Sequence, residues 1–398
     1  EGQVALEGQP FGGEVVLPGG AVVACHARTC RDPDRAVGSL SDVPDRPARQ
    51  PLGIVVEAGG VGLRERRRRR HDEAKRAKEA LFNVNQLAAQ FFETELRRHP
   101  LRQLALDELA RRGLTPGTDT QIDEALRGFR VGYAPYAWDG LARYLEKQGV
   151  SVEAAENVGL LARRRSGSGH YDAFRHRLMF AVIDRVGRVV AFSGRALEEP
   201  DEGRLQQLGI APLYRPRPGE EPAKPPKYVN SPDSPIYNKS ETVFGLYQAR
   251  MEIRERAQAV LVEGNFDVLS LHARGFTRVV APLGTAFTEA QAGQIKRYAP
   301  EVVILFDGDA AGRAAAAKAR GPAQRGALTA KVARMPPGVD PDDLARGRGI
   351  AAIEGLVDNA QGMLEYLIDD TLEGIDGASL RDRQTRIQQV VELIRQED

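Results

Sequence analysis

Three acidic pairs are the residues of this sequence best placed to do chemistry. Glu263 ends the apolar run "VLV", and Asp267 follows one helical turn later. Asp307 and Asp309 end "VILF" with only Gly308 between them, and Asp340 and Asp342 repeat the same D-x-D spacing in "PPGVDPDD". Two like charges about 4 Å apart repel by about 4 kcal/mol even at an effective dielectric near 20. A fold tolerates that crowding when a cation neutralises it, and oxygen ligands without His or Cys select Mg²⁺ or Mn²⁺. Gly308 lets the backbone turn tightly enough for both aspartates to face one ion. Such centres hold substrate phosphates and carry out phosphoryl chemistry. Taken singly, each acid equally suits a helix N-cap, Asp309 ahead of "AAGRAAAA" most of all.

The elements that must position these acids are legible from Ala259 onward. "AVLVEG", "RVVAPLG", "EVVILFDGD" and "ALTAKVARMP" read as strands, and "FDVLSLHARG", "TEAQAGQIKRYAP" and "AAGRAAAAKARG" as the helices between them. Continuous apolar strands alternating with helices of about ten residues predict a parallel sheet covered on both faces. Right-handed crossovers bring the carboxyl ends of the strands to one edge, where open α/β sheets bind ligands. A P-loop ATPase is excluded because no Lys follows a Gly. A haloacid-dehalogenase-type phosphatase carries its D-x-D on the first strand, followed by Gly-Thr. Here the motif falls on the third strand and is followed by Ala310-Ala311.

Length and composition frame the rest. The 398 residues suggest two or three domains, and a net charge of +1 means that any nucleic-acid binding rests on local patches. No apolar run approaches the roughly 18 residues of a membrane span, and no signal-peptide pattern opens the chain, so the expected compartment is the cytoplasm. Cys25 and Cys30 make no disulfide framework. Residues 1 to about 65 hold no sustained period; "GGEVVLPGG" and "LGIVVEAGG" suit short strands, and disorder suits the segment equally. Leu81, Val84, Ala88 and Phe91 then fall at helical spacing, closed by Pro100. The Arg66–Arg70 run reads either as a solvated helix face or linker, or as a phosphate-contacting stripe. Residues 101–128 suggest two short helices, 178–184 and 188–192 a β-hairpin, 198–226 a flexible insertion, and the tail from about 342 further helices. Upstream of the acids lie Arg175 and Arg177 around His176, Arg195, and Lys227, Tyr228, Asn230 and Lys239 around "NSP". Cations interleaved with Tyr and Asn suit single-stranded DNA, though each alone also suits a solvated surface. His170 and His176 read as polar loop residues, not metal ligands.

"EGNFDVLSL", "PLGTAFT" and "LFDGDAAGRAAAAKA", in that order, resemble the Toprim domain of topoisomerases, certain nucleases and bacterial primases. "FRVGYAPYAWDGLARYLEKQG", "GHYDAFRHRLMFAVIDRVGRVVAFSGRAL" and "PKYVNSPDSPIYNKSETVFGLYQAR" narrow the resemblance to the catalytic core of the DnaG-type replicative primases, over roughly residues 75–398. The resemblance implies an α/β chain: an α+β N-terminal lobe, a Toprim parallel sheet with flanking helices, and a C-terminal helical bundle. The expected segments are an irregular 1–70, a helical connector 71–114, a template- and nucleotide-binding lobe 115–250, a metal-binding Toprim domain 251–341 and a helical bundle 342–398. It implies Mg²⁺ (or Mn²⁺) bound by Glu263, Asp267, Asp307, Asp309, Asp340 and Asp342, with Glu263, Asp307 and Asp309 catalytic. Arg175, Arg177, Arg195, Lys227 and Lys239 would form a basic ridge, joined by Tyr228 and Asn230.

The expected activity is synthesis of RNA primers from ribonucleoside triphosphates on a single-stranded DNA template, by a monomer that works with the replicative helicase. Alternatives are a Toprim metal-dependent nuclease and a truncated, non-catalytic DNA-binding fragment. The sequence departs from the family in four places. "ACHARTC" cannot complete the usual zinc site, so no zinc is expected, and residues 1–65 suit a diverged segment or an out-of-frame reading of a GC-rich gene. No helicase-docking domain is recognisable. Ala181 stands where proline is usual, and Ser193 where glycine is usual.

Overall fold

The computed structural model describes residues 15–16, 22–23, 59–164, 168–213, 225–284 and 286–396. The chain divides into two compact units, Glu1–Leu63 and Arg64–Asp398. In the first, Val15–Val16 pairs antiparallel with Val22–Val23, so "GGEVVLPGG" does hold a short strand. Cys25 and Cys30 lie outside the described residues.

A helix, Gly59–Arg98, leads into the second unit. It is exposed on every side from Lys75 to Ala80; then Leu81, Val84, Ala88, Ala89, Phe91 and Phe92 turn one face into the core. That face lies on a four-stranded antiparallel sheet of order Gly132–Ala134, Arg177–Ile183, Val189–Ala196, Tyr228–Asn230. The rings of Phe92 and Phe192 meet edge to face at 5.4 Å. The approach is so close that a Cβ on Gly132 would sit 2.6 Å from the Phe92 backbone. The two central strands are the expected hairpin, with Gly187 at φ +93° in its turn. A second hairpin, Leu161–Arg163 with His170–Asp172, carries no alternation strong enough to be read in the sequence.

Of the polar segment 198–226, read as a flexible insertion, residues 214–224 lie outside the described residues, and 198–213 are ordered against the lobe. Asp201 caps a helix, Glu202–Gln207, and Leu205 and Leu213 are buried in the lobe's core. The Leu213 N–H donates to Tyr136 Oη at 3.0 Å. Apolar anchors spaced eight apart hold residues 198–213 down despite their charge.

The second sheet has the order Gln361–Gly362, Thr329–Val332, Glu301–Ile304, Gln258–Leu261, Val279–Pro282, Val243–Phe244. Its four central strands are parallel, as their apolar runs predict. Both edges are antiparallel, each supplied by a two-residue strand from a connecting segment too short to read as a strand. Val260, Val303 and Leu305 fall in one buried cluster and Leu261, Val302 and Ile304 in the other, so alternate residues of the same strands serve the two faces. The helix Ala310–Arg325 runs through Pro322, beyond the Gly321 end expected for it. Helices Pro341–Arg348, Ile350–Asp358, Met363–Leu372 and Leu380–Arg395 complete the chain. No helix among the described residues is long and apolar enough to cross a membrane.

Candidate active site

Each acidic pair emerges where a parallel strand hands over to a helix. Glu263 lies two residues beyond Gln258–Leu261, and its carboxylate accepts from the Asp307 N–H at 3.2 Å, which ties the first pair to the second. Asp267, in the first turn of Asn265–His272, accepts from the Gly264 N–H at 3.0 Å. Asp309 caps Ala310–Arg325 through Gly312 N at 2.7 Å, so the capping role read from the sequence is real. It occupies one carboxylate oxygen and leaves the residue exposed at the rim. Asp340 caps Pro341–Arg348 through Asp343 N at 2.6 Å.

Gly308 proves necessary for a reason other than a tight turn. A Cβ there would lie 2.0 Å from the Pro336 carbonyl oxygen, so glycine allows the segment that precedes Asp340 to lie directly against the D-x-D. The Gly308 N–H donates to Val339 O at 3.3 Å and closes the same contact.

The carboxylates raise one another's pKa. Burial pushes Asp267 up to about 8, helped by Asp340, Asp307 and Asp342. Burial and then Glu263, Asp340 and Asp309 push Asp307 up to about 6, against the pull of Lys227. Glu263 is raised by desolvation and then by Asp309. Asp340, Asp342 and Asp343 bring carboxylate oxygens within 4.8 Å of one another. An all-oxygen donor set under this much mutual repulsion fits a hard divalent cation. Asp342 differs from the rest: it is fully buried, and its carboxylate accepts from Arg112 at 2.7 Å and from Ser270, with Arg346 at 3.4 Å and Arg274 at 3.9 Å. Its charge is already matched by protein cations.

The basic residues divide. Lys227 is exposed and close enough to lower the Asp307 pKa. Arg195 is held by Glu108 at 2.6 Å and donates to Tyr228 Oη at 3.2 Å. Arg195 and Arg112 both lie against the Phe266 ring, at 5.1 and 5.2 Å from its centre. Tyr228, whose pKa burial raises, feels both Asp267 and Arg112, so this wall faces the acids. Asn230 and Lys239 converge at Gly284 (φ +60°), where a Cβ would lie 2.7 Å from the Asn230 amide nitrogen and 3.8 Å from the Lys239 ammonium. A cavity of about 420 Å³ opens beside them, lined by Glu263, Gly284, Phe287, Phe306 and Lys318.

Arg175 and Arg177 stand elsewhere. Arg177 is only 5% exposed and donates to the carbonyls of Gly194 and Pro226, both at 3.0 Å. It pins the sheet instead of presenting a free cation. Arg175 stacks over Trp138 at 4.7 Å and Tyr171 at 5.0 Å, and donates to Asp172 O. Trp138 is 41% exposed, which makes this cluster an aromatic–cation surface. His176 is a core residue, not a loop residue: it bonds Tyr133 Oη at 3.1 Å and Glu198 O at 2.7 Å, and burial lowers its pKa to about 4. His170 faces Glu156. The sequence reading missed Arg112, whose acid partner lies 230 residues away, and Trp138, the chain's single tryptophan.

Comparison with known proteins finds the same family along most of the chain. The profile for the DNA primase catalytic core, N-terminal domain, matches residues 91–250, and a Toprim-like profile matches residues 260–345. The DNA primase of Synechococcus elongatus is 36% identical over 335 residues, 81% of this chain and 44% of that protein. The DNA primase of Myxococcus xanthus is 32% identical over 96% of this chain and 57% of that protein. The chain thus spans about half the length of the curated relatives it matches. The crystal structure of the RNA polymerase domain of Mycobacterium tuberculosis primase DnaG superposes with a TM-score of 0.65 at 32% identity, over 79% of this chain and 93% of that one. A DnaG primase catalytic domain bound to single-stranded DNA superposes at 0.63 with 28% identity, over 81% and 94%.

Proposed function

The chain belongs to the DnaG primase family, with a primase catalytic core followed by a Toprim domain, and from that premise we propose that it is a DNA primase. In this reading it joins ribonucleoside triphosphates into short RNA primers on single-stranded DNA, in the cytoplasm and as a monomer alongside the replicative helicase. Residues 115–250 hold template and nucleotide, and residues 251–341 supply the metal-binding acids. The observation that carries the proposal is the convergence of Glu263, Asp307, Asp309 and Asp340 on one rim, with Lys227 facing Asp307 from the other lobe.

Mg²⁺ or Mn²⁺, held by Glu263, Asp307 and Asp309 and backed by Asp267 and Asp340, would lower the pKa of a primer 3′-hydroxyl and neutralise the triphosphate, while Asp342, expected from the sequence to join them, is spent on arginines instead. The chain's own residues do the rest. Lys227 and Lys239 offer ammonium donors to phosphate oxygens, with the Asn230 amide beside Lys239 at Gly284 and the Tyr228 ring against Arg195. Arg195 is fixed by Glu108, which keeps the Tyr228 wall in place. Arg175 with Trp138 offers a stacking surface for an unpaired base, whereas Arg177 acts by positioning the strand that carries Arg195.

The test is a primer-synthesis assay with labelled ribonucleotides on a single-stranded template. Metal-dependent RNA products are expected. Cleavage of the template without synthesis would replace this reading with a nuclease.

A further inference from the structure

The basic end of the helix Gly59–Arg98 takes no part in the site described above. Between Arg66 and Lys78 it carries eight Lys or Arg against two acids. Arg66, Arg68 and everything from Arg69 to Ala80 are exposed. Its cations are not scattered evenly. Arg68, His71, Lys75, Lys78 and Phe82 follow the 3–4 spacing of a single helix face, about 15 Å long between Arg68 and Lys78.

That face forms one wall of a groove of about 700 Å³. His71, Lys75, Lys78 and Phe82 line the helix side; Ile236, Tyr237 and Asn238 line the other. The opposite wall is rigid: the Asp233 carboxylate accepts from Lys239 N at 2.8 Å, and Asn238 Oδ1 accepts from Ser240 N at 3.0 Å. Two features of the groove, the Lys75–Lys78 pair and the Tyr237 hydroxyl, point to a polyanion, although Glu79 and Glu241 also line it. Lys75 and Lys78 have no acid partner among the described residues, so their charge is unspent. Arg188 stacks on Phe82 at 3.7 Å and is held by Asp184 at 2.8 Å, so it fixes the floor without adding net charge to it. Glu79, the nearest acid on the helix, is itself occupied by Arg188 at 3.8 Å. Tyr237 is 4% exposed, and its hydroxyl has no hydrogen-bond partner, an orphan donor in a residue that lines the groove. The same wall carries Lys239, whose ammonium stands beside Asn230 and Gly284 at the acidic rim. A phosphate backbone leaving the rim over Lys239 would cross residues 234–238 and reach Lys78 and Lys75.

We infer that this groove is a second nucleic-acid contact, which takes the phosphate backbone of the single-stranded template beyond the acidic rim. The inference rests on the primase reading. It adds a contact that lengthens the site and that no acidic-rim residue supplies.

The test is equilibrium binding of end-labelled DNA oligonucleotides to the full chain, without nucleotides, for strands of about 8 and about 30 residues. At roughly 100 mM salt, Lys75→Gln with Lys78→Gln is expected to weaken the long strand about tenfold and to lower its salt slope by about 1.4, two phosphates at about 0.7 each. The short strand should bind as before. Tyr237→Phe removes a hydroxyl that no protein group uses, so it should fold as wild type and weaken only the long strand, by about threefold. Equal effects on both lengths, or none on either, would overturn the inference while leaving the primase reading intact. Loss of affinity for an RNA–DNA hybrid alone would overturn it in favour of a product contact. If wild-type protein bound neither strand, both readings would fall together.

Discussion

Arg112 Nη1 lies 2.7 Å from Asp342 Oδ2 and 3.9 Å from Asp340 Oδ2, so one guanidinium just beyond the helix Gln103–Arg111 joins the N-terminal lobe to the third acidic pair. Arg274 also donates to the Arg112 carbonyl at 3.0 Å, and Arg346 reaches the Arg111 carbonyl at 3.4 Å. Three arginines therefore surround a fully buried carboxylate, and the lobes meet through charge as well as through apolar contact. Arg112→Met should cost about 2 kcal/mol of stability. That is less than the 3–5 kcal/mol typical of a broken buried pair, because Arg274 and Arg346 still face Asp342. Denaturant unfolding measures it, and adding Asp342→Asn to the same protein should recover part of the loss. A fully additive double variant would show that the pair is not coupled.

Asp309 has two jobs that a conservative change separates. Asp309→Asn keeps an N-cap acceptor for Gly312 and removes the charge, so the thermal midpoint should hold within a few degrees while primer synthesis falls at least about a hundredfold. Asp309→Ala should lose synthesis and about 1 kcal/mol of stability as well. Polymerisation by the Asn variant at the wild-type rate would remove Asp309 from the metal set.

The acids were legible because strand-end chemistry is local. A buried apolar run must stop, and the residue that stops it is visible in the sequence. What the sequence did not reveal depends on contacts between distant segments. Asp340 and Asp342 look alike in a D-x-D pattern, but the strand period of two fails here because Pro341 starts a helix. Asp340 stays outside the helix as its extended N-cap, whereas Asp342 lies in the first helical turn, fully buried against arginines. Arg175 and Arg177 flank His176 in sequence, yet the left-handed backbone at His176 (φ +49°) precedes a strand that sends Arg177 into the sheet and leaves Arg175 on an aromatic pair. The edge strands escaped notice because two residues show no period, and the helix at 202–207 because its two apolar anchors are isolated among charges.

Lys227 is the cation that lowers the Asp307 pKa, and it is exposed. Lys227→Ala should weaken template or triphosphate binding most at low salt, with the slope of log affinity against log salt reduced by about 0.7, the share of one phosphate. Affinity that is unchanged across a salt titration would place Lys227 outside the basic wall.

His272 gives a pH signature that does not involve the acids. It is buried against Val279 O at 3.1 Å and edge-on to Phe129 at 4.9 Å, and burial lowers its pKa to about 4. In the unfolded chain it titrates near 6.5, so below that pH the unfolded state binds the extra proton and stability falls until the folded group titrates. Asp267 and Asp172, whose folded pKa values are raised, oppose this trend in the wild type. The difference against His272→Gln isolates it. The variant's stability deficit at pH 7 should shrink by about 2 kcal/mol at pH 4.5. A deficit independent of pH would mean that His272 is not held neutral.

Gly308 offers a steric test of the rim. The carbonyl of Pro336 lies where a Cβ at 308 would go, 2.0 Å away, and the listener on the other side of that contact is the turn that delivers Asp340. Backbone cannot yield as a flexible side chain does, so Gly308→Ala must push the segment 336–340 away from Asp307 and Asp309, at a cost of about 1–3 kcal/mol. Gly347→Ala is the matched control. Its Cβ meets nothing within 4 Å and sits in a helix, so the fold should be unchanged or slightly more stable. Mn²⁺ titration followed by electron paramagnetic resonance should show at least a tenfold loss of affinity for Gly308→Ala, with its circular dichroism retained, and none for Gly347→Ala. If Gly308→Ala bound Mn²⁺ as tightly as wild type, the close approach of the two acidic segments would have no part in holding the ion.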